Sequence, residues 1–240
     1  MRLIVPDIHD RIDILDRVLK KYDFIKKVTS VGDWFDSLKD TSRTAAGETA
    51  RRLRDFIADP NHDCLYGNHD IHYSHPEISA IAASGWGQWK QDAIDAVMGR
   101  NEWDKFKCHQ LLELYGHKWL ITHAGLHPCF SHPIRGIDDR WIHEITTSAL
   151  EAIKARSMHY LFEPGVRRGG RQEFGGVTWL DFKDFIPIPE YNQICGHSYD
   201  HFGQVRFKPG PEATANWCID TGFKHVAIID DGGNCVIEAV

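Results

Sequence analysis

The sequence places metal-binding residue types in five short polar segments, each directly after a predicted strand. The side chains are carboxylates, imidazoles and one amide. They are Asp7, His9, Asp33, Asn68, His123 and His197. Carboxylate and amide oxygens and imidazole nitrogens are the donors that divalent cations of hard to borderline character take in proteins. A fold that brings the five segments together would therefore form a metal centre.

Two of these segments are unusual for a chain of this composition. The pattern Gly32-Asp33-x-x-Asp36 is expected about 0.2 times by chance, and Gly67-Asn68-His69 about 0.03 times. The pattern Asp-x-His, as in Asp7 and His9, is expected about 1.4 times and carries little weight alone. The order of the segments and their position after strands add the remaining weight.

The elements that must position these residues alternate between strand and helix in the first half of the chain. Apolar runs predict early strands, helical periodicity predicts helices between them, and five short strands follow near the end. We predict strands at about 2–5, 24–31, 63–66, 118–122, 192–195, 203–207, 216–219, 225–229 and 235–239, and helices at about 12–22, 44–58 and 138–160. The pattern indicates an α/β fold with a parallel core and an antiparallel wing. Loops at the carboxyl ends of parallel strands meet in one crevice, so convergence of the donors is expected.

A Trp-rich stretch at about 76–115 interrupts this alternation. Its period is helical, and we interpret it as an insertion or cap on the single domain, residues 1–240. Trp86, Trp89 and Trp103 are expected to pack in the core, with stacking on a base of a dinucleotide substrate as the alternative.

Composition and charge exclude several classes. The 240 residues carry 28 basic and 34 acidic side chains, a net charge of −6, so the electrostatic basis of non-specific nucleic-acid binding is missing. The apolar runs are far shorter than the roughly 20 residues of a membrane-spanning helix. Six scattered cysteines without a CxxC pair favour thiols in a reducing, cytoplasmic compartment. The oligomeric state stays open.

Taken in order, the polar segments resemble the five blocks of the calcineurin-like metallophosphoesterases. The blocks are Asp7-Ile-His9, Gly32-Asp33-Trp-Phe-Asp36, Gly67-Asn68-His69-Asp70, His123-Ala-Gly-Leu-His-Pro128 and Gly196-His197-Ser198. The segment Cys218-Ile-Asp-Thr-Gly222 is similar to a further block of the phosphoprotein phosphatases. The chain thus most resembles the branch that holds these phosphatases and the symmetrical bis(5′-nucleosyl)-tetraphosphatases.

The resemblance implies a four-layer α-β-β-α sandwich of two mixed sheets and two divalent metal ions. Asp7 and His9 would hold the first ion and Asp33 would bridge both, with Asn68, His123 and His197 completing the second site. Manganese is expected first, and the donor set also accepts iron, Zn²⁺ or Ni²⁺.

The resemblance also implies the catalytic roles. A hydroxide between the ions would attack phosphorus in line. His69 would protonate the leaving alkoxide, and Asp36 would orient His69 by accepting its other N–H.

The chain departs from the family pattern in two places. Where the phosphatases have Arg-Gly after the second block, this chain has Ser37-Leu38, so Arg167 or Arg168 is the candidate phosphate-binding residue. Other branches end the last block with His-x-His, but here the second position is Tyr199. His201, two residues further on, is a candidate replacement for the missing second imidazole.

We therefore expect a metal-dependent phosphomonoesterase acting on a phosphoprotein or a small phosphorylated molecule. A dinucleoside polyphosphate hydrolase or phosphodiesterase is the alternative within the hydrolases. A catalytically silent metal-binding scaffold is the alternative from another class. The presence of His69 beside a full donor set argues against the scaffold.

Overall fold

The computed structural model describes residues 1–37, 39–79 and 83–240 and consists of two stacked five-stranded sheets. The first sheet contains β1 (Arg2–Val5), β2 (Lys27–Ser30), β3 (His62–Cys64), β9 (His225–Ile229) and β10 (Cys235–Ala239). The second contains β4 (His109–Leu114), β5 (His117–Thr122), β6 (Tyr191–Cys195), β7 (Arg206–Pro209) and β8 (Ala215–Cys218). Both sheets mix parallel and antiparallel pairs.

The parallel strands of the first sheet end at the same edge. Its order is β10-β9-β1-β2-β3, with β1, β2 and β3 parallel and the last two strands of the chain antiparallel. Val5 pairs with Ser30, and Ser30 pairs with Cys64. Because these three residues are in register, the loops that follow them start side by side.

The second sheet has the same property. Its order is β4-β5-β6-β8-β7, with β5, β6 and β8 parallel and antiparallel strands at both edges. Ile121 pairs with Ile194, and Cys195 pairs with Cys218. The loops after β5, β6 and β8 therefore also leave from one edge.

Alternation along the strands divides the core into layers. Ile4 of β1 and Ile121 of β5 belong to an apolar layer between the two sheets. Leu3 and Val5 point the other way and pack with the buried face of helix α1 (Ile12–Lys21), where Leu15 lies. Helix α2 (Arg43–Ala58) joins this outer layer, and helix α6 (Asp139–Lys154) covers the second sheet. The predicted four-layer α/β architecture is confirmed.

The Trp-rich stretch is helical only in its first part. Helix α3 (Asn68–Ser74) precedes it, α4 (Gln88–Asp95) packs on α2, and α5 (Arg100–Trp103) ends its helical part. Residues 109–114, which we expected in the helical cap, form the edge strand β4. Trp103 is buried as expected, but Trp86 and Trp89 are 37% and 52% exposed.

None of the helices in the described ranges combines the length and hydropathy that a bilayer-spanning segment requires. All six cysteines lie in those ranges as free thiols.

Candidate metal centre

The loops at the shared sheet edges bring the six predicted donor residues together. The nitrogen and oxygen atoms of Asp7, His9 and Asp33 lie within 4.8 Å of one another, and so do those of Asp33, His123 and His197. Asp33 belongs to both groups, the position that the family resemblance implies for a bridging carboxylate. Asn68 joins the second group through His123, whose Nε2 lies 3.2 Å from the amide oxygen.

Asp7 lies at the bottom of the site, 2% exposed. Its Oδ2 accepts a hydrogen bond from the backbone N–H of His197 at 2.8 Å. Its Oδ1 is buried and has no hydrogen-bond partner among the described residues. A Cβ at Gly196 would lie 1.8 Å from Oδ1, so the sequence must have glycine here for the carboxylate to reach the site.

The Asp33 carboxylate lies between imidazoles of the two groups. Its Oδ2 is 3.3 Å from His123 Nε2 and 3.9 Å from His9 Nε2. Its Oδ1 accepts the backbone N–H of His69 at 3.0 Å. Burial raises the pKa of Asp33, but the charges of His123 and His69 outweigh burial and hold that pKa well below its ordinary value. The carboxylate is ionised and offers oxygen to both groups.

Backbone carbonyls fix two of the imidazoles so that Nε2 faces inward. His123 Nδ1 donates to the carbonyl of Val31 at 2.9 Å, and His9 Nδ1 donates to that of Phe35 at 2.8 Å. An N–H held in this way sets the tautomer and leaves the other nitrogen as a metal ligand. His123 Nε2 faces two acceptor oxygens, those of Asn68 and Asp33, which requires a proton or a cation between them.

His197 completes the set from the loop after β6. Its Nε2 is buried and finds no partner within residues 1–37, 39–79 and 83–240. Burial lowers the pKa of His197 well below its ordinary value, and the charges of His123 and Arg168 lower it further. The ring is thus a neutral imidazole with a lone pair. The site thus has two buried metal-ligand atoms, Asp7 Oδ1 and His197 Nε2, without hydrogen-bond partners among the residues that the structure describes. Together with the shared Asp33, they fit a pair of divalent cations.

Four of the site residues have left-handed backbone conformations. The φ angles are 45° at His9, 49° at Asp33, 70° at Asp36 and 64° at His197. This region costs a non-glycine residue about 1 to 2 kcal/mol, and such strain concentrates at functional sites. The surrounding hydrogen bonds, rather than local preference, therefore aim these side chains.

His69 and Asp36 form the expected pair beside this centre. His69 Nδ1 lies 2.7 Å from Asp36 Oδ2, and the His69 ring stands edge-on to His9 with centroids 5.3 Å apart. Burial lowers the pKa of His69, but Asp33 and Asp36 outweigh burial and raise it to about 9. The pair holds a proton next to the metal-binding groups.

Asp70 and Asp220, to which the sequence motifs assign no role, also bring buried carboxylates to the site. Asp70 is fully buried and accepts the N–H groups of Asp33 at 2.7 Å, Trp34 at 2.9 Å and Gly67 at 3.0 Å, which fastens two donor loops together. Asp220 is 4% exposed. The pKa of Asp7 is raised first by burial and next by the negative charge of Asp220 nearby. Both residues stand in the quoted sequence blocks, which was the signal for them.

The two candidate arginines have different surroundings in the structure. Arg168 Nη2 donates to Ser198 Oγ at 3.2 Å, next to His197, and its Nε lies 3.1 Å from Asp181. Arg167 is 51% exposed and pairs with Asp184 instead. Arg168 is therefore the arginine at the site.

Ser37 and His201, the residues at the two departures from the family pattern, both lie outside the donor groups. Ser37 donates its backbone N–H to Asp10 at 2.8 Å, and Leu38 lies outside the described residues. His201 is exposed and stands edge-on to Tyr199 at 5.4 Å, outside both donor groups.

Comparison with solved structures shows similar folds at low sequence identity. A cold-active protein-tyrosine phosphatase of a psychrophilic Shewanella species is 14% identical with a TM-score of 0.51, over 98% of this chain and 79% of that chain. A hypothetical protein from Pyrococcus horikoshii OT3 is 10% identical with a TM-score of 0.54, over 100% and 88%. A metallophosphoesterase from Sphaerobacter thermophilus is 12% identical with a TM-score of 0.46, over 100% and 87%. No protein-family model matches the sequence, and no curated protein matches it.

Proposed function

We propose that this chain is a hydrolase of phosphate monoesters that works with two divalent cations. Asp7, His9 and Asp33 would hold one cation. Asp33, Asn68, His123 and His197 would hold the other. The observation that carries the proposal is the sharing of Asp33 by two donor groups, beside two buried donor atoms without partners.

The neighbouring residues support hydrolysis rather than metal storage. The His69–Asp36 pair stands at the edge of the donor groups, and an arginine lies beside the His197 loop. A metal-storing scaffold has no need of either feature. The block resemblance and the phosphatase named among the structural relatives support the same class.

When bound, the two cations would acidify a water and neutralise phosphoryl oxygens. The chain's own groups would do the rest. Arg168 would hold the phosphate through its planar guanidinium. His69, with Nδ1 bonded to Asp36, would carry on Nε2 the proton that the leaving oxygen takes.

We further propose a phosphoprotein or a small phosphorylated molecule as substrate, a cytoplasmic location, and Mn²⁺ as the first metal to test. The oxygen and nitrogen donors also suit iron, Zn²⁺ and Ni²⁺. The exposed rings of Trp86 and Trp89 keep a dinucleoside polyphosphate as the second candidate substrate, since such rings could stack a base.

The test is a metal-replacement assay with four substrates. Chelator-treated protein receives Mn²⁺ or Zn²⁺ and is assayed on p-nitrophenyl phosphate, its bis ester, a phosphopeptide and diadenosine tetraphosphate. We expect Mn²⁺ to restore hydrolysis of the monoesters. Asp7→Asn protein purified in parallel is the control, because residual activity in it would reveal a contaminating phosphatase.

The other outcomes are equally informative. If diadenosine tetraphosphate or the bis ester is hydrolysed faster than the monoesters, the monoesterase proposal is wrong. The dinucleoside polyphosphate hydrolase or phosphodiesterase would then be the function. Tight metal binding without turnover of any of the four substrates would contradict the hydrolase and favour the scaffold.

A further inference from the structure

Lys90 is a buried lysine in the short helix α4, with a side chain only 2% exposed. Its Nζ donates to Asp36 Oδ1 at 2.7 Å and to the carbonyl of Gly85 at 2.7 Å. Lysine is almost never fully buried unless it is paired, because the ammonium loses its hydration. The position of this charge therefore depends on Asp36.

Asp36 in turn is held by three donors through both oxygens. Lys90 and the hydroxyl of Tyr73 bond to Oδ1, each at 2.7 Å, and His69 Nδ1 bonds to Oδ2 at 2.7 Å. Burial raises the pKa of Asp36, but His69, Lys90 and Tyr73 outweigh burial and lower it. Contacts on both oxygens fix the rotation of the carboxylate as well as its position.

The loop before α4 is shaped to allow this contact. Gly85 has a φ of +90°, and a Cβ there would lie 3.0 Å from Cβ and Cγ of Asp36. Glycine lets the chain pass directly over the Asp36 side chain. The Trp-rich segment thus meets Asp36 through the ammonium group of Lys90 and through the backbone of Gly85 that passes over the carboxylate.

We propose that Lys90 is a positioning residue for the proton donor His69 and acts through Asp36. It holds the carboxylate in the orientation that accepts the Nδ1–H of His69, so that Nε2 is the nitrogen left for the leaving group. The inference rests on the proposed phosphatase function. The Trp-rich segment then has a role in the reaction, because its helix α4 supplies the ammonium group that holds Asp36, and Asp36 holds the proton donor His69.

The test compares substrates that differ in their need for a proton donor. Lys90→Met is expected to lower kcat on phenyl phosphate by about 10- to 100-fold, the usual cost of losing an outer partner of an oriented imidazole. On 2,4-dinitrophenyl phosphate, whose leaving group needs no proton, we expect less than about a 3-fold loss. Lys90→Arg, which restores a cation, should recover part of the loss on phenyl phosphate.

A double-mutant cycle tests whether Lys90 acts through Asp36. Asp36→Asn with Lys90→Met removes both charges, so no unpaired buried charge opposes folding. If the mechanism holds, Lys90→Met has no further effect on the substrate ratio once Asp36 is replaced. Gln88→Ala is the control: Gln88 lies in the same helix but is exposed and bonds to Asp92, away from Asp36, so its loss should leave that ratio unchanged.

A readout without turnover separates this inference from the proposed function. The Nδ1–H proton of His69, identified by its loss in His69→Asn, should give a downfield NMR signal in the wild type that weakens in Lys90→Met. An equal loss on both substrates, additivity with Asp36→Asn, or an unchanged signal would overturn the role of Lys90. If the wild type hydrolyses none of the substrates, the phosphatase proposal fails, while the NMR signal still decides the positioning.

Discussion

Replacing Asp33 should remove most of the stabilisation that the two proposed cations would give this protein. Asp33 is the one carboxylate shared by both donor groups, so Asp33→Asn weakens both, whereas His9→Ala weakens only the group formed with Asp7. The change from carboxylate to amide keeps the size of the side chain. The expected losses therefore reflect metal affinity rather than packing.

The expected size of the metal-dependent rise in Tm follows from mass action at two sites, and the unpaired buried donors are the reason to expect binding there. Asp7 Oδ1 and His197 Nε2 lack partners in the described part of the chain, and each unpaired buried group costs about 1 to 3 kcal/mol. A cation at 100 times its Kd raises the free energy of unfolding by about 2.7 kcal/mol, so two sites give about 5 kcal/mol. At about 2 to 4 °C per kcal/mol for a chain of this size, Tm should rise by about 10 to 20 °C.

The assay is thermal unfolding with chelator and with Mn²⁺, combined with metal analysis of the dialysed protein. We expect two Mn²⁺ and the full rise in Tm for the wild type and for the control His201→Ala, whose ring is exposed outside both groups. His9→Ala should keep about half the rise, and Asp33→Asn less than about a quarter. Two retained Mn²⁺ and a full rise in Asp33→Asn would refute the shared-carboxylate reasoning.

Three further predictions concern the acid, the arginine and acid stability. His69→Asn should keep its bound Mn²⁺ but lose about 10²- to 10⁴-fold in kcat on phenyl phosphate and far less on 2,4-dinitrophenyl phosphate; equal losses would remove the acid role. Arg168→Ala should lower kcat/KM by about 10- to 100-fold, equivalent to a charge-assisted hydrogen bond of about 1.5 to 3 kcal/mol, whereas Arg167→Ala should stay within about 2-fold in the same assay. Burial, with help from His143 and Lys107, lowers the pKa of His109 to about 4, so His109 adds stability above its unfolded pKa near 6.5 that is lost as pH falls toward 4. Urea unfolding should show a loss of stability from pH 7.5 to 5 that is about 2 kcal/mol larger in the wild type than in His109→Gln.

Local sequence was enough to identify the six candidate donors, because each one lies in a polar segment directly after a predicted strand. The run Leu3 to Val5 ends at Pro6, and the strand is observed at Arg2–Val5 as predicted. Parallel pairing then places the following loops together without any further information. The six metal-binding candidates needed no tertiary detail beyond that rule.

Elements that depend on tertiary pairing were harder to predict. Strand β4 pairs with β5 through the turn at Tyr115 and Gly116, whose φ angles of 49° and 81° suit a tight hairpin. A glycine between two apolar runs was the signal for it. Helix α6 ends at Lys154 rather than near residue 160, because Arg156 turns left-handed at φ 58°, and an arginine gives no sequence warning of such a turn.

Lys90 shows the limit of sequence reasoning most clearly. A lysine in a polar helix is normally exposed, so helical periodicity alone assigns it to solvent. Its burial follows from Gly85 and Asp36, which lie five and 54 positions away. Contacts of this kind follow from loop paths, and neither motif spacing nor residue type encodes a loop path.

The proposed function requires an acidic chain to bind a phosphate dianion, and its buried charges set the condition for that binding. Asp7, Asp70 and Asp220 are at most 4% exposed, and burial raises the pKa of each, with a smaller contribution from the neighbouring carboxylate of Asp33. Such a cluster repels phosphate by itself. In the proposed function, two divalent cations would add four positive charges and offset the carboxylates of Asp7, Asp33, Asp70 and Asp220, so cation binding would precede phosphate binding. The net charge of −6 would then disfavour other polyanions, while the local charge would admit one phosphate group beside Arg168.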